Sequence, residues 1–160
     1  MTEPLDPRTL AVRAGLESDP STGAVVPPLH LSSTYAFPAF GEKGRYDYSR
    51  SGNPTRDLLA DALAKLEGGA GAVVTSSGMS AIALVGQVLP QRSRIVAPHD
   101  CYGGTYRLFN AWRLRGDFEV DFVDYGDDAA LATALARPTA LVWIESPSNP
   151  LLLTSRHNRE

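Results

Sequence analysis

A short strand, a hydroxyl-rich turn and an apolar helix can be read in succession from Gly71-Ala-Val-Val-Thr-Ser-Ser-Gly-Met-Ser-Ala-Ile-Ala-Leu-Val-Gly-Gln-Val-Leu89. Gly71 to Thr75 has the length and apolar content of a buried strand. From Met79 onward, Met79, Ile82, Ala83, Gly86 and Leu89 fall on one helical face, and Leu84, Val85 and Val88 lie between them. A helix apolar nearly all round belongs inside a sizeable protein. Between strand and helix lie Ser76, Ser77 and Gly78. At a helix N-terminus the first backbone N–H groups have no intrahelical acceptor and the dipole favours an anion. Gly78 lets backbone approach a ligand closely, and the serines add donors. This is a candidate phosphate cup. The same residues also suit an ordinary helix cap, so taken alone the stretch leaves both readings open.

Downstream, strands and helices keep alternating. Arg94 to Ala97 reads as a strand, and Gly103-Gly104 opens a helix with Leu108, Phe109 and Trp112 on one face. Val120 to Val123 is a second strand. Asp127 starts a helix carrying Leu131 and Leu135, which Pro138 stops, and Thr139 to Ile144 is a nearly unbroken apolar strand. Upstream, Asn53 is a good N-cap, Pro54 suits the first helical position and Asp57 the first turn. Leu59, Ala62, Leu63 and Leu66 form the apolar face of that helix, and Gly68-Gly69 ends it. Alternating strands and helices predict an α/β fold with a largely parallel sheet covered on both faces. Ligands on such sheets gather beyond the carboxyl ends of the strands. The loops in that position are 76–78, 98–104 and 145–150, which bring hydroxyls, a tyrosine, an amide and a carboxylate together.

Residues 1–53 have a different texture. Apart from a short helix near Thr9 to Leu16 they hold Pro27-Pro28, several glycines and serines, and Tyr35, Phe37, Phe40, Tyr46 and Tyr48. Such a segment is too irregular for a core of its own and too aromatic for a solvated tail. It reads either as an arm packing on another subunit or as a loop hugging its own chain. At the other end, Leu151-Leu152-Leu153 is followed by seven polar residues, Thr154 to Glu160. An α/β sheet stopping straight after a buried strand leaves an open edge, so residues 153–160 read as an atypical tail left by a truncation or a shifted reading frame.

Composition narrows the function classes. The 160 residues carry a net charge of −3 without a Lys/Arg-rich block, so neither nucleic acid nor an anionic membrane is an expected partner. Cys101 is the only cysteine, which excludes an internal disulfide framework, and the three histidines form no ligand pair, so no metal site is expected. The N-terminus has no basic region followed by an apolar run, and no apolar stretch has membrane-spanning length. The expectation is a soluble, cytoplasmic protein.

Five motifs in order now point to one family: Tyr46-Asp-Tyr-Ser-Arg-Ser-Gly-Asn-Pro-Thr-Arg56, Leu66-Glu-Gly-Gly-Ala70, Thr75-Ser-Ser-Gly-Met-Ser-Ala-Ile82, Asp100-Cys-Tyr-Gly-Gly-Thr-Tyr-Arg107 and Glu145-Ser-Pro-Ser-Asn-Pro150. Over roughly residues 10 to 152 the chain resembles the cysteine/methionine-metabolism enzymes that use pyridoxal 5'-phosphate. The resemblance implies the N-terminal part of the fold-type I transferase large domain over 54–152, preceded by a subunit-contacting arm over 1–53. It implies that the cofactor phosphate sits at Gly78 and Met79 with Ser77 nearby. Tyr48 and Arg50 would reach that phosphate from a neighbouring subunit, Tyr102 would stack on the pyridine ring, and Asn149 would bond the ring oxygen. Arg107 would hold the distal carboxylate of an acylated homoserine, with Tyr102 also beside the substrate. Bland alternatives stand beside these: Arg50 and Arg107 as solvated arginines, Tyr102 as a core aromatic, Asn149 as turn chemistry.

Within the family the chain is most similar to enzymes that replace the acyl group of O-succinylhomoserine or O-acetylhomoserine with cysteine to give cystathionine, in methionine biosynthesis. The resemblance implies assembly as a homotetramer. Rival chemistries are γ-lyase action on cystathionine or methionine and sulfhydrylation of O-acylhomoserine. A non-catalytic binding or regulatory module is the rival of another class. In the family the cofactor is carried by a lysine as a Schiff base. The only lysines here are Lys43, in the arm, and Lys65, on the outer face of the first long helix. Neither has that setting, so no catalytic residue is assigned and the 160 residues alone are expected to be inactive.

Overall fold

The computed structural model describes residues 6–16 and 19–154. The chain divides into two compact units, Met1–Val74 and Thr75–Glu160.

The first unit holds two helices, α1 (Pro7–Arg13) and α2 (Pro54–Leu66), which pack on each other. Asn53 starts α2 as its sequence suggests, its side-chain oxygen accepting from the N–H groups of Thr55 and Arg56. The Asn53 amide nitrogen donates to the His30 carbonyl and lies within hydrogen-bond reach of the Tyr35 and Ser49 hydroxyls. A single side chain therefore caps the helix and gathers the irregular segment before it. Residues 19–53 contain no helix or ladder, only isolated bridges such as Thr34 to Tyr48. Among the described residues of this unit none is fully buried.

The second unit contains α3 (Gly78–Gln87), β1 (Arg94–Pro98), α4 (Gly103–Arg115), β2 (Glu119–Val123), α5 (Asp128–Leu135) and β3 (Leu141–Val142). The sheet is parallel throughout, in the order β2-β1-β3, with Ile95 opposite both Val120 and Leu141. Ala140 and Trp143 extend the β3 pairing by donating to the carbonyls of Arg94 and Val96. Ile95, Ala97 and Val120 build the core with Phe109 and Trp112 of α4, and Phe122, Leu141 and Trp143 pack against them. Phe109 is 1 % exposed, stacks on Trp112 at 5.4 Å and meets Trp143 edge-on at 5.6 Å. α3 joins this core through Gly86, where a Cβ would lie 2.3 Å from the Trp112 ring, so only glycine lets the helix approach.

The alternate residues of β1 serve a different purpose. Arg94, 5 % exposed, directs its guanidinium to the Asp121 carboxylate on β2, to the Ala134 carbonyl at the end of α5 and to the Thr139 hydroxyl before β3. Charge-assisted bonds of this kind satisfy a buried cation that would otherwise be costly to desolvate.

Two expectations change. Gly71–Thr75 forms no strand, and Val73 is exposed. Apolar sequence gives a segment the preference for extended backbone, but a strand needs a neighbour to pair its N–H and C=O groups. No described strand lies alongside it. α3 likewise buries only Gly86, and Leu84 and Val88 face outward.

Candidate active site

The loop before α3 is tied by hydroxyls. Ser77 caps the helix, its Oγ accepting from the Ser80 N–H at 3.1 Å and pairing with the Ser80 hydroxyl at 2.9 Å. Its carbonyl accepts from the Thr75 hydroxyl and the Ala81 N–H. The cap reading of Ser77 is therefore correct. It leaves the N–H groups of Gly78 and Met79 heading the helix with no intrahelical acceptor. A Cβ on Gly78 would meet nothing within 4 Å, so the chain leaves the side of this turn open.

The second loop approaches this turn at Gly104. A Cβ on that residue would lie 2.5 Å from Cε1 of Tyr102 and 2.6 Å from the sulfur of Met79. The absence of a side chain thus lets the Tyr102 ring and the Met79 sulfur both close on Gly104 at the first turn of α4. Tyr102 is 46 % exposed, so its side chain is accessible to a planar ligand. Arg107 is exposed one turn further along α4, its guanidinium close to Gly103.

Glu145, three residues beyond β3, joins the third loop to the second. One oxygen accepts from the Tyr102 N–H at 2.6 Å, and the other from the Thr105 hydroxyl at 2.8 Å and the Trp143 indole at 2.9 Å. Asn149 lies exposed four residues on, just after the buried Ser148. Asp100 is buried beside this cluster, and its Oδ2 finds no donor among the described residues. The second unit thus brings Met79, next to Ser77 and Gly78 at the head of α3, and Tyr102 to either side of Gly104, with Arg107 one turn along α4; Asn149 makes no described contact with them. Glu145 and Thr105 were not singled out from sequence; the available signal was a carboxylate ending an apolar strand.

Tyr48 and Arg50 belong to the first unit. The Arg50 guanidinium lies over the Tyr48 ring at 4.9 Å, and both side chains are exposed. Arg56 fixes the loop between them by donating to the Ser49 and Arg50 carbonyls. The pair presents a hydroxyl and a guanidinium, both good donors to phosphate oxygens.

Cys101 is 5 % exposed. Burial, with the charge of Glu145 adding to it, pushes its thiol up to about 11 from an ordinary value near 9. It is a poor nucleophile at neutral pH. Between those values the unfolded chain releases the thiol proton and the folded chain keeps it, so stability falls as pH rises through that window. Urea unfolding is expected to show a loss of about 2 kcal/mol from pH 8 to pH 11 attributable to this thiol. Cys101→Ala should flatten the early part of the loss, leaving the part that begins near pH 10, where burial raises Tyr125 to about 12. An unchanged slope in that variant would assign the effect elsewhere.

Among the described residues no three metal-ligating side chains come together, and no helix is long and apolar enough to cross a membrane. The residues present suit pyridoxal phosphate at two ends. Helix N–H groups, hydroxyls and open space fit a phosphate, and the exposed Tyr102 ring fits the face of a pyridine. The second unit has no lysine.

A family model described as Cys/Met metabolism PLP-dependent enzyme matches residues 8–155. The chain belongs to that family. It is 61% identical over 145 residues to the cystathionine gamma-synthase of Escherichia coli K12, covering 90% of this chain and 38% of that protein. It is 41% identical over 145 residues to the cystathionine beta-lyase of Coxiella burnetii, covering 90% and 38%. The crystal structure of the Xanthomonas oryzae pv. oryzae cystathionine gamma synthase in complex with cystathionine superposes with a TM-score of 0.89 at 55% identity, covering 95% of this chain and 40% of that one. The chain therefore spans about two fifths of the length of these relatives.

Proposed function

We propose that this chain forms the phosphate-and-ring end of a pyridoxal-phosphate site belonging to a cystathionine γ-synthase. The observation that carries the reading is the meeting of the α3 N-terminus, Met79 and the Tyr102 ring at Gly104. In this reading the N–H groups of Gly78 and Met79 donate to the phosphate, and Ser77 adds a hydroxyl beside them. Tyr102 stacks on the pyridine and shields one face from water. Asn149 donates to the ring oxygen, and Arg107 pairs with the distal carboxylate of O-succinylhomoserine. Tyr48 and Arg50 reach the phosphate of a neighbouring subunit in a homotetramer in the cytoplasm. When bound, the cofactor supplies an electron sink for charge developing on an amino-acid substrate. The reaction of the whole enzyme exchanges the acyl group for cysteine and yields cystathionine. The higher identity to a synthase than to a lyase favours this reaction over lyase action.

With neither lysine in the second unit, the 160 residues bind the cofactor reversibly and turn nothing over. Equilibrium dialysis against pyridoxal phosphate and against pyridoxal tests the phosphate cup. The phosphorylated form should bind at least about tenfold better, since a charge-assisted bond contributes about 1.5–3 kcal/mol. Equal binding of the two, no binding of either, or cystathionine formed by the purified chain would overturn the reading.

A further inference from the structure

We propose that Glu145 is a positioning residue for Tyr102. The inference rests on the reading above in one respect, that Tyr102 is the side chain meeting the cofactor ring.

Tyr102 occupies the N-cap position of α4 but offers no side-chain cap to the helix. Glu145 supplies the missing anion from 43 residues further along the chain. One carboxylate oxygen takes the Tyr102 N–H and the other the hydroxyl of Thr105, so a single group spans the first turn. A negative charge is well placed at a helix N-terminus. The Trp143 indole, donating to the same oxygen as Thr105, fixes the carboxylate from the β3 side. Half-exposed, the Tyr102 ring lacks the surrounding packing that would hold it by itself. Its placement rests on the bare Gly104 beneath its edge, the Glu145 bond to its backbone N–H and the helical bond that its carbonyl accepts from Tyr106. The rest of α4 is anchored independently, through Phe109 and Trp112 in the core. Loss of the carboxylate should therefore loosen the first turn without melting the helix.

Glu145→Gln keeps the size of the side chain and removes the charge and one acceptor oxygen. In the 160-residue chain it should weaken pyridoxal phosphate binding roughly tenfold. In a Tyr102→Ala background it should change binding less than about twofold, because a residue acting through Tyr102 has nothing left to act through. Equal losses in both backgrounds would overturn the proposal. Amide hydrogen exchange supplies a second readout that needs no cofactor. In Glu145→Gln the Tyr102 amide should lose protection about tenfold while the Phe109 amide is unchanged. A loss spread evenly over α4, or none at Tyr102, would equally overturn it. A wild-type chain that binds no pyridoxal phosphate defeats the reading of the site instead, and the exchange result then decides the role of Glu145.

Discussion

Phe109→Ala is expected to leave the second unit unfolded, or within reach of unfolding, at room temperature. The side chain is 1 % exposed and sits between the Trp112 ring and the edge of Trp143. Truncating a buried phenylalanine costs about 3–5 kcal/mol, from lost transfer energy and from the cavity left behind. The whole stability of a small domain is about 5–15 kcal/mol. The core of this unit is a single cluster on one face of a three-stranded sheet, so little else stands in reserve. Urea unfolding followed by far-ultraviolet circular dichroism measures it. A loss under about 1 kcal/mol would mean that α4 is held by something other than this aromatic cluster.

Gly104→Ala is expected to damage the site and spare the fold. The new methyl would lie 2.5 Å from the Tyr102 ring and 2.6 Å from the Met79 sulfur, too close for either to stay in place. At Gly86 the same change would press on Trp112, which is buried and cannot retreat. Tyr102 can, since nearly half of it faces solvent. The clash is therefore relieved by moving the ring, at a stability cost toward the low end of the about 1–3 kcal/mol typical of overpacking. The ring then no longer lies where a pyridine would stack. Binding of pyridoxal phosphate should fall by roughly ten- to a hundredfold, as misplaced site groups commonly cause. Unchanged affinity would separate Tyr102 from the cofactor and send the search for the stacking residue elsewhere.

The helices could be read because each carries its boundary in a few adjacent residues. Asn53-Pro54 opens α2 and Asp127 opens α5, both by side-chain oxygens accepting from the first-turn N–H groups. These are local signals, and local chemistry decides them. The strand expected at Gly71–Thr75 failed because pairing is not a property of the segment that pairs. The same distinction runs through the site. The serine and glycines of the turns announced the α3 N-terminus and the Tyr102 loop. What Glu145 binds stayed hidden because its partners lie a crossover away, at Tyr102 and Thr105. Arg94, read only as the first residue of a strand, gave no hint that its guanidinium would be enclosed.

That enclosed guanidinium has a consequence for which alignment of the sheet the sequence permits. β1 is the central strand, and its side chains alternate between the aromatic cluster and the opposite face. A slip of one residue along either neighbour would exchange the two faces. Arg94 would then point its charge at Phe109 and Trp112, and Ile95 would face the Asp121 carboxylate. Neither Val96 nor Ala97 could enforce this choice, since both are content on either side of an apolar sheet. Arg94 can, because three separately arriving segments hold its acceptors and all three meet it in one alignment only. The arginine thus acts as an address written into the first position of the strand, read at assembly by residues that come later in the chain.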